Sequence, residues 1–256
     1  MIGRVDINVA DVRRESAFRS GRVTQALFNE LLEIFDERGG YFLIKGEDNS
    51  EGWIDRRFVV EHDSFADGDL CLVTSNIGSG YEKPEVGSKR VTSIPYGCRL
   101  YGVNRGDFMM IESARYGELY IPADDIQKET SMPFSPERLI HESEKFLGAP
   151  YLWGGRSFFG FDCSGFAQCI MKRFGINLPR DSKDQRRSGE KAGRDDIRAG
   201  DLLFFPGHVT IAVSNHLMIH SSLGNGGVAY NSLDPQSPLY SEYYDKNFAA
   251  ARRFIK

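Results

Sequence analysis

The last fifth of the chain has the apolar pattern of an antiparallel sheet. After Gly200, short runs of apolar or alternating residues are separated by polar turns, as in a sheet with at least one buried face. Strands are predicted at 202–205, 208–214, 217–222, 228–233 and 249–255.

Two helices are predicted before this sheet. The first begins at Ser135 and Pro136, which are typical of an N-cap and a first helical position, and it ends at Gly148. The second is predicted over 163–174, where apolar residues recur at the spacing of one helix face. Helices followed by an antiparallel sheet indicate an α+β arrangement.

The first half of the chain contains an internal repeat. The segment 22–24 recurs at 90–92, and each copy consists of short β-rich runs between glycine-containing turns. Two copies of a small all-β unit are therefore predicted. The alternative is a chance match among residues that favour strands. Further matches are Phe28 with Tyr96, Leu32 with Leu100, 41–44 with 108–111, and 53–54 with 120–121.

A polar segment separates this repeat from the predicted helices. It contains two prolines and several charged residues, as linkers do. The predicted organisation is a first all-β unit at 1–62, a second at 63–126, a linker at 127–136 and an α+β domain at 137–256.

Composition limits the classes of partner. Apolar residues make up 41% of the chain, enough for packed cores, and 32 basic against 36 acidic residues give a net charge of −4. Because no basic stripe is present, we do not expect nucleic acid as a partner. No run approaches the ~18 apolar residues of a membrane span, so no membrane partner is expected either. We expect a monomer.

The termini and cysteines suggest a location. The first residues lack the apolar stretch of a secretory signal, which predicts a cytoplasmic protein, or a secreted or periplasmic one if a signal has been removed. The four cysteines form no CxxC pattern, so neither a disulfide framework nor a zinc finger is expected. No metal and no cofactor are predicted.

Cys163 is a candidate nucleophile. It stands at the start of the second predicted helix, where the helix dipole and free N–H groups favour a thiolate. The alternative is a buried structural thiol. Cys169, in the middle of the same helix, is interpreted as a packing residue.

Two histidines are candidate partners for this cysteine. A three-residue turn at 214–216 would pair Val213 with Leu217 and place His208 diagonal to His220 on one sheet face, ~7–8 Å apart at the backbone. A two-residue turn would put them on opposite faces. The alternative is two ordinary strand histidines.

Six motifs in order resemble the NlpC family of papain-fold cysteine peptidases, which cleave bacterial cell-wall peptides. The repeated first half is similar to the bacterial SH3-like barrels that often precede such domains. The resemblance implies a papain-like peptidase domain after two small SH3-like barrels. The motifs lie at 148–155, 161–166, 178–182 with Gln185, 199–205, 207–211 and 218–220.

The resemblance also implies roles for individual residues. Cys163 matches the nucleophile, His208 the general base, and His220 the group that orients His208. Tyr151 matches a tyrosine that lines the cleft; the alternative is a packing ring. A metal-dependent hydrolase with Cys163, His208 and His220 as ligands is a less favoured hypothesis, because no HExxH or HxE…CxxC pattern is present.

Within that family, the chain resembles the dipeptidyl-peptidase VI subgroup, which trims free murein peptides. Asp181 and Ser164 match residues that hold the free amine of an N-terminal L-Ala, with Asp181 expected as a buried carboxylate. The alternative for Asp181 is a helix N-cap. The other expected substrate-binding residues are Asp162, Ser182, Trp153 and, in the first barrel, Glu15.

The resemblance thus implies a cysteine-type γ-D-glutamyl-L-diamino acid endopeptidase of murein peptide recycling that releases L-Ala-γ-D-Glu. Its partner would be the murein peptide substrate. The alternatives are a non-catalytic cell-wall-binding protein and an amide transferase of the same fold.

Overall fold

A computed structural model of the chain describes residues 1–62 and 68–254. They form two compact units, Met1–Thr130 and Ser131–Lys256. Two predictions involve residues outside these ranges. One is the boundary between the two all-β units at residues 62 and 63, and the other is the end of the last strand at residue 255. Within those limits the chain is mostly β, with 22 strands and four short α-helices.

The first sheet occupies residues 2–61. Its strand order is β3-β2-β6-β5-β4-β1-β7, and every pairing within it is antiparallel. The strands are β1 Ile2–Val5, β2 Val9–Arg13, β3 Arg22–Leu27, β4 Leu31–Arg38, β5 Tyr41–Lys45, β6 Glu51–Asp55 and β7 Val59–Glu61, with a 3-10 turn at Arg56–Phe58.

The second sheet repeats this arrangement. Its order, β10-β9-β13-β12-β11-β8-β14, is that of the first sheet with each strand number raised by seven. β14 extends two residues into the segment predicted as a linker. The strands are β8 Asp69–Val73, β9 Ile77–Tyr81, β10 Arg90–Pro95, β11 Arg99–Asn104, β12 Phe108–Ser113, β13 Gly117–Pro122 and β14 Ile126–Lys128, with a 3-10 turn at Ala123–Asp125.

Several matched apolar positions of the sequence repeat are buried in both copies. Leu32 and Leu100 are 1% and 0% exposed, and Ile54 and Ile121 are both fully buried. Because equivalent side chains fill equivalent core positions, the repeat in sequence corresponds to a repeat in strand order rather than to chance.

Side chains join the two halves of the first unit. Phe28 packs in the core of the second sheet. The backbone N–H of Arg115 donates to Asp6 Oδ2 at 2.6 Å, and Asn29 Nδ2 donates to the Arg99 carbonyl at 3.2 Å. These contacts satisfy polar groups that the packing of the two sheets would otherwise bury unpaired.

The second unit places its main helix against a six-stranded antiparallel sheet of order β17-β22-β18-β19-β20-β21. α2 packs on β19 and β20. The elements are α1 Pro136–Glu144, β15 Arg156–Ser157, β16 Gly160–Phe161, α2 Cys163–Arg173, α3 Ser182–Gln185, β17 Glu190–Ala192, a 3-10 turn at Arg194–Asp196, β18 Leu202–Phe205, β19 His208–Ala212, β20 Leu217–Ser222, β21 Gly227–Ser232, α4 Glu242–Lys246 and β22 Ala250–Arg253.

Three aromatic rings fix the start of α2. Phe146, Phe161 and Phe166 are fully buried and meet edge to face, with centroids 5.3 to 6.3 Å apart. α1 ends at Glu144, earlier than the predicted end near Gly148, because residues 145–148 form a turn in which Gly148 has φ +79°. That turn lets Phe146 point into the core. No helix among the described residues is long and apolar enough to cross a bilayer.

Candidate active site

Cys163 is the first residue of α2, and Asp162 is the N-cap. The Asp162 carboxylate accepts hydrogen bonds from the backbone N–H groups of Gly165 at 2.7 Å and Gly154 at 2.9 Å. An aspartate suits this position because the first N–H groups of a helix have no partner within the helix. The cap fixes both the helix end and the 148–155 segment beside it.

A buried ion pair holds this cap. Arg180 donates from Nη2 to Asp162 Oδ2 at 2.6 Å, and from Nη1 to Asp162 Oδ1 at 3.1 Å. Ser164 completes the cluster: its hydroxyl accepts from Arg180 Nη1 at 2.9 Å and donates to Asp162 Oδ1 at 3.2 Å. All three residues are less than 10% exposed.

His208 and His220 are hydrogen-bonded to each other across β19 and β20. The strands pair Ile211 with Ile219, and Val213 N–H donates to the Leu217 carbonyl at 2.9 Å, so the predicted three-residue turn and register are confirmed. His208 Nε2 lies 2.7 Å from His220 Nδ1.

Asn231 on β21 determines which nitrogens hold protons. Its Oδ1 lies 2.9 Å from His220 Nε2 and accepts from Asn225 Nδ2 at 2.8 Å. Because this oxygen only accepts, we assign the proton of His220 to Nε2. Its Nδ1 then accepts from His208 Nε2–H, which leaves the lone pair of His208 on Nδ1.

The sulfur of Cys163 lies against the start of β19. The backbone N–H groups of Val209 and Ser164 hydrogen-bond to it. Since Val209 directly follows His208 in β19, the sulfur lies at the end of the strand that carries this imidazole. The residue is only 8% exposed.

Burial controls the protonation of the thiol and of both imidazoles. It raises the pKa of the Cys163 thiol to about 11, and the charge of Asp162 raises it further, against the two N–H donors and Arg180. Burial likewise lowers the pKa of His208 to about 3 and that of His220 to about 4. Burial thus shifts the pKa of the thiol in the direction opposite to the one expected from the helix N-terminus. These shifts favour an uncharged thiol and uncharged imidazoles.

Comparison with known proteins identifies the family. Residues 148–253 match the NlpC/P60 family, and residues 12–57 match the bacterial dipeptidyl-peptidase SH3 domain. The chain is 36% identical over 254 residues to gamma-D-glutamyl-L-lysine dipeptidyl-peptidase of Bacillus subtilis strain 168, covering 90% of this chain and 80% of that protein. The chain belongs to the NlpC/P60 family. The resemblance seen in the sequence is confirmed.

Other similar proteins have related names or the same fold. A protein of the same name from Bacillus cereus is 28% identical, covering 91% of this chain and 75% of its own length. Dipeptidyl-peptidase 6 of Lysinibacillus sphaericus is 25% identical, covering 91% and 92%. The crystal structure of an NlpC/P60 family protein from Bacillus cereus ATCC 10987 has the same fold, with a TM-score of 0.86, 24% identity and full coverage of both chains.

Two aromatic residues of the 148–155 segment were expected to bind substrate, and they differ in burial. Tyr151 is half-buried; burial raises its pKa to about 12, and the charges of Cys163 and Asp162 add to this rise. Its expected place in the cleft stays a prediction. Trp153 is 70% exposed.

The residues expected to bind the free amine differ in burial: Asp181 is exposed, whereas Ser164 is buried. The expectation of a buried Asp181 is wrong: its side chain is 57% exposed, with Lys183 Nζ at 3.4 Å from Oδ2. Asp181 is the N-cap residue of α3, but its side chain makes no capping hydrogen bond. Ser182 is the partly buried first residue of α3. Ser164 and Asp162 are held in the buried ion-pair cluster, and their substrate-binding roles stay predictions.

Glu15 lies in the first unit between β2 and β3, where it is exposed. Its substrate-binding role, like those of Asp181, Ser182 and Trp153, stays a prediction. Within the described residues no group of three or more His, Cys, Asp and Glu side chains is arranged to hold a metal ion.

Three residues at this site were not predicted from the sequence. Asn231 pairs with Met218, diagonal to His220, so the diagonal rule that linked the two histidines would have found it. Arg180 stands in the 178–182 motif, but only the fold brings it to Asp162. Tyr244, whose ring contacts both imidazoles, lies on a short helix that shows no apolar period.

Proposed function

We propose that the protein is a cysteine peptidase that hydrolyses the γ-D-glutamyl-L-diamino acid bond of murein peptides with a free N-terminal L-Ala. The observation that carries this proposal is the hydrogen-bonded pair of His208 and His220 at the strand whose Val209 N–H bonds the Cys163 sulfur. The names of the relatives support the bond type and the release of a dipeptide.

The first step forms a thioester. As the Cys163 sulfur attacks the γ-carbonyl carbon of D-Glu, its proton passes to the free Nδ1 of His208. The backbone N–H of Cys163, which has no acceptor within α2, is suited to bind the oxyanion. The C–N bond then breaks, and His208 returns the proton to the leaving amine of the diamino acid.

The second step releases the enzyme. Water loses a proton to His208 as it attacks the thioester carbon, and the C–S bond breaks. The sulfur takes the proton back from His208. The products are L-Ala-γ-D-Glu and the peptide that begins with the diamino acid.

The free amine of L-Ala is proposed as the specificity element. Asp181 is the exposed carboxylate suited to it, since a carboxylate and an ammonium form a charge-assisted hydrogen bond. A peptide with an acylated N-terminus would lack the positive charge and lose this interaction.

Product analysis tests the proposal. Purified full-length protein is incubated with L-Ala-γ-D-Glu-L-Lys, with the diaminopimelate peptide and with their N-acetyl analogues, and products are identified by mass spectrometry. We expect L-Ala-γ-D-Glu from the free peptides only. Cys163→Ala should abolish turnover, while Cys169→Ala, on the same helix, should keep it. Turnover by Cys163→Ala would overturn the proposal.

The same assay separates the alternatives. A wall-binding protein without activity would yield no product, and its Cys163 would not react selectively with a peptide-like electrophile. An amide transferase would join L-Ala-γ-D-Glu to an added amine in preference to water. A metal-dependent hydrolase would lose activity to a chelator.

We further propose a recycling role in the cytoplasm, with murein peptides as the partner and a monomer as the active form. Sedimentation of the purified protein tests the oligomeric state. Fractionation of the cells that produce it tests the location.

We also propose that each seven-stranded sheet is an SH3-like barrel and that residues 131–254 form an α+β papain-like domain. The shared strand order of the two sheets and the match at residues 12–57 support the barrel assignment.

A further inference from the structure

One aromatic ring contacts both imidazoles. The ring of Tyr244 stacks on His208, with centroids 5.5 Å apart and an interplanar angle of 27°. It meets His220 edge to face, at 5.0 Å and 89°. Hydrogen bonds alone fix the distance between two rings but leave them free to tilt, whereas contacts at two different angles restrict both.

The short helix that holds Tyr244 is itself fixed. Asp245 forms an ion pair with Arg194 and accepts a hydrogen bond from the Tyr240 hydroxyl at 2.9 Å. On the other side, Phe205 meets the Tyr244 ring edge to face at 4.9 Å. Phe205 pairs with His208 in the β18–β19 hairpin, so the ring is held against the strand that it covers.

We propose that Tyr244 is a positioning residue: its ring holds the His208–His220 pair in the hydrogen-bonded arrangement and keeps water away from both imidazoles. The inference rests on the proposed peptidase function, because the pair matters as the general base. A flat ring suits this position, since aromatic pairs prefer offset-stacked and edge-to-face contacts.

The surroundings of the pair agree with this role. The ring of Tyr244 on α4 contacts both imidazoles, and each imidazole faces the other across β19 and β20. The Tyr244 hydroxyl is hydrogen-bonded with Ser222. Burial raises the pKa of Tyr244, and the charge of Cys163 on α2 raises it further, so at neutral pH its ring is an uncharged cover.

Histidine titration in the full-length protein tests the proposal. Ring-proton NMR gives the pKa values of His208 and His220, assigned with His208→Gln and His220→Gln. The variants are Tyr244→Phe, which keeps the ring, and Tyr244→Leu, which removes it. Tyr243→Leu is the matched control: it removes an exposed ring from the same helix, one that meets Tyr244 edge to face at 5.3 Å, and it leaves the Tyr244 ring in place. Initial rates on L-Ala-γ-D-Glu-L-Lys are measured against pH.

We expect Tyr244→Leu to admit water and to raise the pKa of His208 by about one unit or more. It should lower kcat by about tenfold and leave KM within about twofold, because a misaligned base affects the chemical step rather than ground-state binding. Tyr244→Phe and Tyr243→Leu should match wild type. If Tyr244→Leu does not fold, Tyr244→Met is used instead. Its narrow, flexible side chain covers less of the two imidazoles than a ring does, so it should show the same upward shift.

An unchanged or lower pKa of His208 in a folded variant without the ring would overturn the proposal, as would an equal shift in Tyr243→Leu. The titration needs no turnover. A wild-type protein that hydrolyses neither peptide would therefore refute the proposed function, while the histidine pKa values still decide the role of Tyr244.

Discussion

Arg180 and Asp162 form a two-point ion pair inside the second unit, with Nη2–Oδ2 and Nη1–Oδ1 distances of 2.6 and 3.1 Å. The pair joins the 178–182 segment to the N-cap of the helix that begins with Cys163. Parallel contacts between a guanidinium and a carboxylate fix orientation as well as distance. The direction of the first turn of α2 therefore depends on a residue 17 positions after the cysteine.

Replacement of Arg180 by Met should lower the free energy of unfolding by about 3–5 kcal/mol, because it leaves a buried carboxylate without its counter-ion. The measurement is denaturant unfolding of the full-length protein. The double variant Asp162→Asn with Arg180→Met should lose less than the sum of the two single variants, since the pair is coupled.

Arg187→Met is the matched control for this experiment. Arg187 contacts Asp184 at 3.3 Å on the surface, where its side chain is 79% exposed. The change in the free energy of unfolding should stay below about 1 kcal/mol. Similar losses in the two arginine variants would contradict a special role for the buried pair.

Asn231→Leu should slow catalysis by about ten- to a hundredfold with little change in KM. It removes the acceptor of the His220 Nε2–H, and a hydrogen bond to a charged group contributes about 1.5–3 kcal/mol when the pair becomes protonated. Asn225→Ala removes only a donor to the same oxygen and should stay within about threefold of wild type. Steady-state kinetics on the tripeptide measure both variants. Equal losses would refute the role of the Asn231 oxygen as the acceptor that stabilises the protonated pair.

The buried histidines should make stability depend on pH. The pKa of His208 is lowered from its ordinary 6.5 to about 3, so between these values the unfolded chain binds a proton that the folded protein does not. The free energy of unfolding should therefore decrease as the pH falls from about 6.5, and be independent of this group at higher pH.

The slope of the free energy of unfolding against pH is the quantity to measure. Unfolding of wild type and His208→Gln is followed between about pH 7.5 and 4.5, and the variant should show a shallower decrease, by up to about 1.4 kcal/mol per pH unit. Parallel curves would mean that folding does not lower the pKa of His208.

Gly165→Ala should be destabilising, although alanine normally favours a helix over glycine by about 1 kcal/mol. An added Cβ would lie 2.1 Å from the Gly155 carbonyl oxygen, which is backbone and accepts from Asp162 N–H. We expect a loss of about 1–3 kcal/mol in thermal or denaturant unfolding. Gly193→Ala, where nothing lies within 4 Å of the new Cβ, should be neutral or stabilising; the same loss there would contradict steric crowding as the cause.

The hairpin that presents the two histidines was predictable because its register depends on local information. Apolar runs flank a polar turn at 214–216, and a turn of three residues leaves one diagonal placement for His208 and His220. The start of α2 was predictable for a similar reason, since the apolar spacing that begins at Cys163 defines one helix face without reference to the rest of the fold.

Burial was not predictable in the same way. The sequence places Cys163 at a helix N-terminus but does not say how much water reaches its sulfur, so the pKa shift expected from that position is opposite to the one that burial causes. Asp181 and Arg180 are neighbours in sequence, yet one is exposed and the other buried in an ion pair. Which side chain turns inward depends on how the 178–182 segment lies against α2, a long-range property.

The amide of Asn231 ends the chain of hydrogen bonds that starts at His208. A carboxylate in its place would offer negative charge to balance an imidazolium, whereas an amide oxygen neither carries charge nor takes up a proton. A proton that His208 takes up at Nδ1 must therefore leave from the same nitrogen. The positive charge on the pair lasts only until the leaving amine accepts that proton.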